Sequence, residues 1–259
     1  MNMPAPVPDA APSAHGVVSL SARSVVADAA RDLSPARLLT ELYSAMAAAL
    51  GPMGWWPART PFEVIVGAIL TQNTAWSNVE RALVNLWREK LLTPRAIEAV
   101  PAARLIRSSG YFRQKAKKLK AFVSFLRNSY GGSLVRMFAM PTTALRGKLL
   151  AVHGIGPETA DSILLYAGQH TVFVVDAYTR RMLSRHGLVG ERAAYGEMQS
   201  LFQRHLPADA QLFNEYHALI VNVGKRWCRA SRALCTDCPL GSFLPAPSLM
   251  PQISVGAAT

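Results

Sequence analysis

Cysteine is scarce in this chain: three residues in 259, all between positions 228 and 238. Three thiols cannot build a disulfide framework, which argues against a stapled secreted scaffold and for a reducing, cytoplasmic compartment. No apolar run reaches the ~18 residues of a membrane span. The opening MNMPAPVPDAAPSAHG lacks the basic-then-apolar order of a secretory signal. Sustained period-two alternation is missing, and so is any internal repeat at the roughly 20–50-residue periods of solenoids and propellers. Acidic residues are missing from one long stretch: none occurs from Ala99 to Pro157, while residues 101–150 carry eleven Lys and Arg.

The charges that are present sum to +12, from 28 Lys and Arg against 16 Asp and Glu. Such a balance argues against cationic partners and suits a polyanion, with nucleic acid first and an anionic membrane surface second. An acid-free basic run can be an ordinary solvated face. Solvated faces usually mix both signs, however, so the run reads better as a phosphate-facing surface. Half of the residues are hydrophobic, enough for a substantial core.

The apolar spacing is helical throughout, and the expected fold class is all-α. Thr60-Pro61-Phe62-Glu63 reads as a capping box with proline at the first helical position, followed by Phe62, Ile65, Val66, Ile69 and Leu70 on a helical face. Thr93-Pro94 opens another helix in the same way. The stretch 113–127 is amphipathic, with Ala116, Leu119, Phe122, Val123 and Leu126 on one side. TVFVVD (171–176) is the one β-like patch and is too short to seed a sheet. Residues 1–34 read as a mobile leader and 245–259 as a loose tail.

The segment 142–181 carries most of the chemistry. Thr142 suits the cap of a helix bearing Leu145, Leu149 and Val152. The chain then turns through His153-Gly154-Ile155-Gly156, and Pro157 starts a second helix. A Gly-x-Gly turn lets another backbone approach closely, and the free N–H groups of the second helix favour a phosphate. An ordinary packing corner is the plainer reading of the same residues. Asp176 follows the apolar run Val174-Val175, where a lone aspartate is most often a helix cap.

GIGPETAD (154–161), Asp176 eighteen residues after Glu158, Phe62-Glu63 with GAILTQNT (67–74), and SGYFRQKAKKL (109–119) occur in one order. Together they resemble the helix-hairpin-helix–Gly/Pro/Asp (HhH-GPD) superfamily of DNA glycosylases, relatives of endonuclease III, over about residues 55–244. Gly54-Trp55-Trp56-Pro57 and Trp76 after the QNT triplet are similar, within that superfamily, to the 3-methyladenine DNA glycosylase III group. The resemblance implies a two-lobed all-α fold with a central cleft. One lobe would be a six-helix module over 67–185, and the other would join 36–66 to 186–244. It implies double-stranded DNA with a damaged base as the partner, a monomer, and binding that is salt-sensitive and largely blind to sequence.

It also implies roles. Asp176 would be catalytic, stabilising charge on the sugar and orienting or deprotonating water. Gly154, Ile155, Gly156 and Thr159 would hold a DNA phosphate. Gln72, Trp76, Trp55, Trp56 and Pro57 would form the base pocket and wedge, with core filling the ordinary role for the tryptophans. An indole face attracts the cationic ring of an alkylated purine. The lyase members carry a lysine two residues after the second glycine. Glu158 stands there, and a carboxylate forms no Schiff base. A monofunctional glycosylase follows, unless a lysine from 115–120 substitutes. The alternatives are an endonuclease III-like glycosylase/lyase acting on oxidised pyrimidines and a non-catalytic helix-hairpin-helix DNA-binding protein.

Cys228-x6-Cys235-x2-Cys238 matches three ligands of the family's 4Fe-4S loop, but the fourth position is Leu244. Four thiolates normally hold such a cluster. Three readings stay open: a cluster with an unusual fourth ligand, a loop folded without iron, or buried thiols alone. Lys225, Arg226, Arg229 and Arg232 around the loop read as phosphate contacts.

Overall fold

The computed structural model describes residues 33–56 and 58–245. Most of the expected leader and tail, and Pro57, lie outside the described residues. Eleven α-helices, joined by three short 3-10 turns and no strand, make up what is described, so the fold is all-α. They are α1 (Pro35–Leu50), α2 (Pro61–Leu70), α3 (Trp76–Arg88), α4 (Pro94–Ala99), α5 (Phe112–Tyr130), α6 (Leu134–Phe138), α7 (Thr142–Leu150), α8 (Pro157–Ser162), α9 (Ala177–Arg185), α10 (Tyr195–His205) and α11 (Ala210–Arg226). Helix α8 continues into a π-type turn over Ile163–Ala167.

Helix α2 is the hub. Eight of its ten residues, Phe62 and Val64 to Leu70, are buried. A helix that is apolar on all sides belongs inside a protein. Thr60 caps it by accepting from the Glu63 N–H at 3.2 Å, and Glu63 reaches back to the Arg59 N–H at 3.0 Å. A cap contributes about 1 kcal/mol. Each large apolar side chain buried contributes about 1.5–3 kcal/mol, so burial rather than capping sets where α2 lies. It packs on α3, α5, α8 and the π-type turn. Helix α1 packs on α10 and α11, and α9 packs on α11.

This packing moves both expected lobe boundaries. A division at 66/67 would cut α2, which is one continuous helix lodged among α3, α5 and α8. A module ending at 185 would include α9, yet α9 lies against α11, where the Tyr178 ring fills the space a side chain at Gly224 would need. By packing, α2 to α8 gather around the hairpin, while α1 groups with α9 to α11. Thr142 is not the cap of α7 either. It is the first helical residue, and its hydroxyl pairs with His170 Nδ1 at 2.9 Å.

Among the described residues, no helix is long and apolar enough to cross a membrane.

Candidate functional site

The hairpin is α7, the turn 151–156 and α8. Gly154 takes φ +81°, and a Cβ there would meet Lys118 Cγ at 2.4 Å, so both backbone and packing require glycine. Gly156 differs: a Cβ there would meet nothing within 4 Å. Nothing inside the protein demands that second glycine, and its open side faces outward. Ile155 is buried and plugs the turn into the core. Thr159, expected to face phosphate, is buried, and its Oγ1 accepts from Gln72 Nε2 at 2.9 Å. Gln72 Nε2 also donates to Gly154 O at 3.0 Å, while Lys118 Nζ donates to Gln72 Oε1. In this conformation Gln72 ties the α2–α3 loop to the hairpin, and its whole amide is engaged.

Asp176 caps α9. Its Oδ1 accepts from Thr179 N at 2.7 Å and from Thr179 Oγ1 at 2.9 Å. Its Oδ2 lies 3.6 Å from His217 Nε2 on α11. The capping and chemical readings of Asp176 thus fall on different oxygens, at the positive end of a helix. His217 Nδ1 pairs with the Tyr166 hydroxyl at 2.5 Å. Burial, and then the charge of Asp176, raise the Tyr166 pKa, so the phenol in this contact keeps its proton. Burial lowers the His217 pKa against the pull of Asp176. The downward shift favours the neutral ring near pH 7, and its buried Nε2, which makes no hydrogen bond, is the atom nearest Asp176 Oδ2.

An extended segment delivers Asp176. Residues 172–175 are buried but pair with no strand. Helix α10 satisfies their backbone through side chains one turn apart. Tyr195 Oη accepts from Val175 N at 3.3 Å, Gln199 Nε2 donates to Phe173 O at 2.7 Å, and Gln203 Oε1 accepts from Phe173 N at 2.9 Å. Buried Asp161 of α8 anchors this ladder. It accepts from Tyr195 Oη at 2.8 Å, from Gln199 Nε2 at 2.7 Å, and from Arg146 Nε and Nη2 at 2.6 and 3.0 Å. A buried charge placed like this is stable only because it is fully partnered.

Trp55, Trp56 and Trp76, far apart in sequence, form one cluster. Their ring centroids lie 4.9 to 6.2 Å apart, and Tyr166 adjoins Trp56 at 5.2 Å. Gly67 makes room for it, since a Cβ there would press on Trp56 Cζ2 at 3.0 Å. Trp76 Nε1 donates to Glu80 at 2.7 Å, and Lys225 Nζ sits 5.8 Å from the Trp55 ring centroid. Lys225, expected on phosphate, thus turns toward the indoles. The protein surrounding it lowers its pKa, and Glu80 and Asp176 oppose that shift.

Glu158 is solvent-accessible but recessed among protein atoms. That desolvation, and secondly the Asp176 carboxylate, push its pKa up to about 7. Of the lysines in 115–120, Lys115 is buried, donating to Leu70 O at 2.9 Å and Ser109 O at 2.5 Å. Lys118 is held by Gln72.

The three cysteines are free, and Cys228, Cys235 and Cys238 line one pocket together with Leu244, Arg185 and His186. Among the described residues, no three His, Cys, Asp or Glu side chains form a group that would hold a metal ion. Two arginines of α9 fasten the loop: Arg181 Nε donates to Cys228 O at 2.7 Å and Arg185 Nη1 to Cys228 Sγ at 3.2 Å. Arg229, expected on phosphate, donates through Nε to Arg226 O at 3.2 Å.

His217, Tyr166, Asp161 and His186 escaped the sequence reading. The i, i+4, i+8 spacing of Tyr195, Gln199 and Gln203 was visible as a polar stripe on an amphipathic helix. What it faces was not.

Residues 66–208 match the family described as HhH-GPD superfamily base excision DNA repair protein. A Methanocaldococcus jannaschii protein that bears the name of a DNA repair glycosylase is 46% identical over 210 residues, 80% of this chain and 95% of its own length. Endonuclease III of Thermotoga maritima is 29% identical over 69% of this chain and 79% of its own. The crystal structure of H. pylori 3-methyladenine DNA glycosylase bound to 1,N6-ethenoadenine superposes with a TM-score of 0.65 at 30% identity, covering 75% of this chain and 98% of that one. The chain belongs to the HhH-GPD superfamily and is a base-excision-repair DNA glycosylase of the endonuclease III-like kind.

Proposed function

We propose that this glycosylase is monofunctional and hydrolyses the N-glycosidic bond of alkylated, positively charged purines flipped out of double-stranded DNA. The observation that carries the reading is the indole cluster, which already holds a cation on the face of Trp55 and leads through Tyr166 and His217 to Asp176. A cationic base stacking there replaces one positive charge with another, and an indole face stabilises such a charge by about 0.5–2 kcal/mol. An alkylated purine is already a good leaving group. Asp176 Oδ2 then stabilises charge building on the sugar and orients or deprotonates the attacking water. The hairpin holds the backbone through the outward side of Gly156.

Glu158 in the lyase position supports hydrolysis without a covalent amine. One observation favours a second reading, a glycosylase/lyase: the Lys225 amine lies over Trp55 and feels Asp176.

Duplexes carrying 3-methyladenine, 7-methylguanine, uracil or an oxidised pyrimidine test the lesion class. Release of the methylated purines is expected to be fastest, and Trp55→Ala should lower it by about 3- to 30-fold. Fastest release of an oxidised pyrimidine would sink the assignment.

A further inference from the structure

The cysteine loop of this superfamily implies a 4Fe-4S cluster, and the side chains present can be tested against it. The three cysteines line one pocket, and Arg185 donates to the sulfur of Cys228, as it would to a thiolate ligand. A single zinc ion, bound at ~2.3 Å by each sulfur, needs its donors within roughly 4 Å of one another. No such group exists among the described residues. A cubane asks for something else: four irons at separate corners, each taking one protein ligand, so that the donors stand around the rim of a shared space. Three cysteines that line one pocket supply three donors to such a shared space. The missing part is the fourth donor, because Leu244 binds no iron.

His186 stands beside that vacancy. It is the residue after α9, it lines the same pocket as the three cysteines, and its Nδ1 faces Phe243 O, next to Leu244, at 3.3 Å. A backbone carbonyl that takes the Nδ1 proton fixes the tautomer and leaves Nε2 as the donor, the usual way a ligating imidazole is held. We infer that His186 replaces the fourth cysteine, so that Cys228, Cys235, Cys238 and His186 together form a three-thiolate, one-imidazole site for a 4Fe-4S cluster. Imidazole is an established iron–sulfur ligand in Rieske centres. The neighbouring α9 arginines would then offset a cluster that carries one negative charge fewer than its four-thiolate form.

The test is spectroscopic and does not depend on the glycosylase reading. The full chain is reconstituted anaerobically with ferrous iron and sulfide, and its iron, sulfide and visible charge-transfer band are measured. The reduced cluster is then examined by pulsed electron paramagnetic resonance for coupling to a directly bound nitrogen. Iron and sulfide in equal amounts with a strong nitrogen coupling are expected. His186→Cys should keep the cluster and lose the coupling, and His186→Ala should lose most of the bound iron. The coupling is read on the unaltered chain, so a variant that fails to fold does not decide the matter. An absence of bound iron, or a cluster without nitrogen coupling, would overturn the inference.

Discussion

The two carboxylate oxygens of Asp176 have different neighbours, and this is what a sequence cannot display. The position of the carboxylate after Val174-Val175 is readable, whereas the engagement of Oδ1 by Thr179 and the freedom of Oδ2 toward His217 depend on the fold. Glu158 is similar. Its identity excludes a Schiff base at that position, but its pKa of about 7 arises through space, from desolvation first and Asp176 second. The sign of the consequence follows from linkage. A carboxyl raised from 4.5 to about 7 on folding contributes stability that is complete below 4.5 and lost as pH rises through 7. The melting temperature of the wild type should therefore fall relative to that of Glu158→Gln from about pH 4.5 to about 7 and then run level. Affinity for duplex DNA should weaken as pH rises through about 7, because ionised Glu158 adds a second negative charge near Asp176 and the phosphates. Parallel pH curves for the two proteins would contradict the assignment.

Among the elements, α10 has the least obvious task. Its Tyr195, Gln199 and Gln203 recur at helical spacing as one polar stripe. In the fold that stripe replaces a β-partner for the extended segment leading to Asp176, with Asp161 behind it. Tyr195→Phe removes the hydroxyl that joins Val175 N to Asp161. The expected cost is about 1–2 kcal/mol, or roughly 2–8 °C in Tm. Single-turnover base release should fall about tenfold or more, with KM nearly unchanged, because the carboxylate is displaced rather than the DNA contacts. A loss of stability with unchanged base release would make the ladder merely structural. Helix starts were the most legible elements. Thr60 and Thr93 cap as their sequences imply. Thr142 does not, because His170, 28 residues away, takes its hydroxyl.

For the whole molecule, the all-α fold follows the expectation drawn from the motifs. The basic run is more mixed than its composition implies. Of its eleven cations, Lys115 is buried on helix-end carbonyls, Arg146 is paired with Asp161, Arg127 with Glu98, and Lys118 is held by Gln72. Charge counting cannot separate a cation that meets DNA from one that holds the protein together. Lys115→Ala would leave two buried carbonyls without a donor and should destabilise the fold by about 2–4 kcal/mol, measurable by urea unfolding. If the variant melts like the wild type, the buried ammonium carries no such weight. The claim on which the functional reading turns is hydrolysis by Asp176 without a covalent amine. Its most direct test is single-turnover reaction with duplex DNA bearing 7-methylguanine, in the presence of borohydride. Free base released from an unbroken strand, no trapped protein–DNA adduct, and loss of release in Asp176→Asn with DNA binding retained are the expected results. A borohydride-trapped adduct that disappears in Lys225→Gln would contradict it and establish the lyase instead.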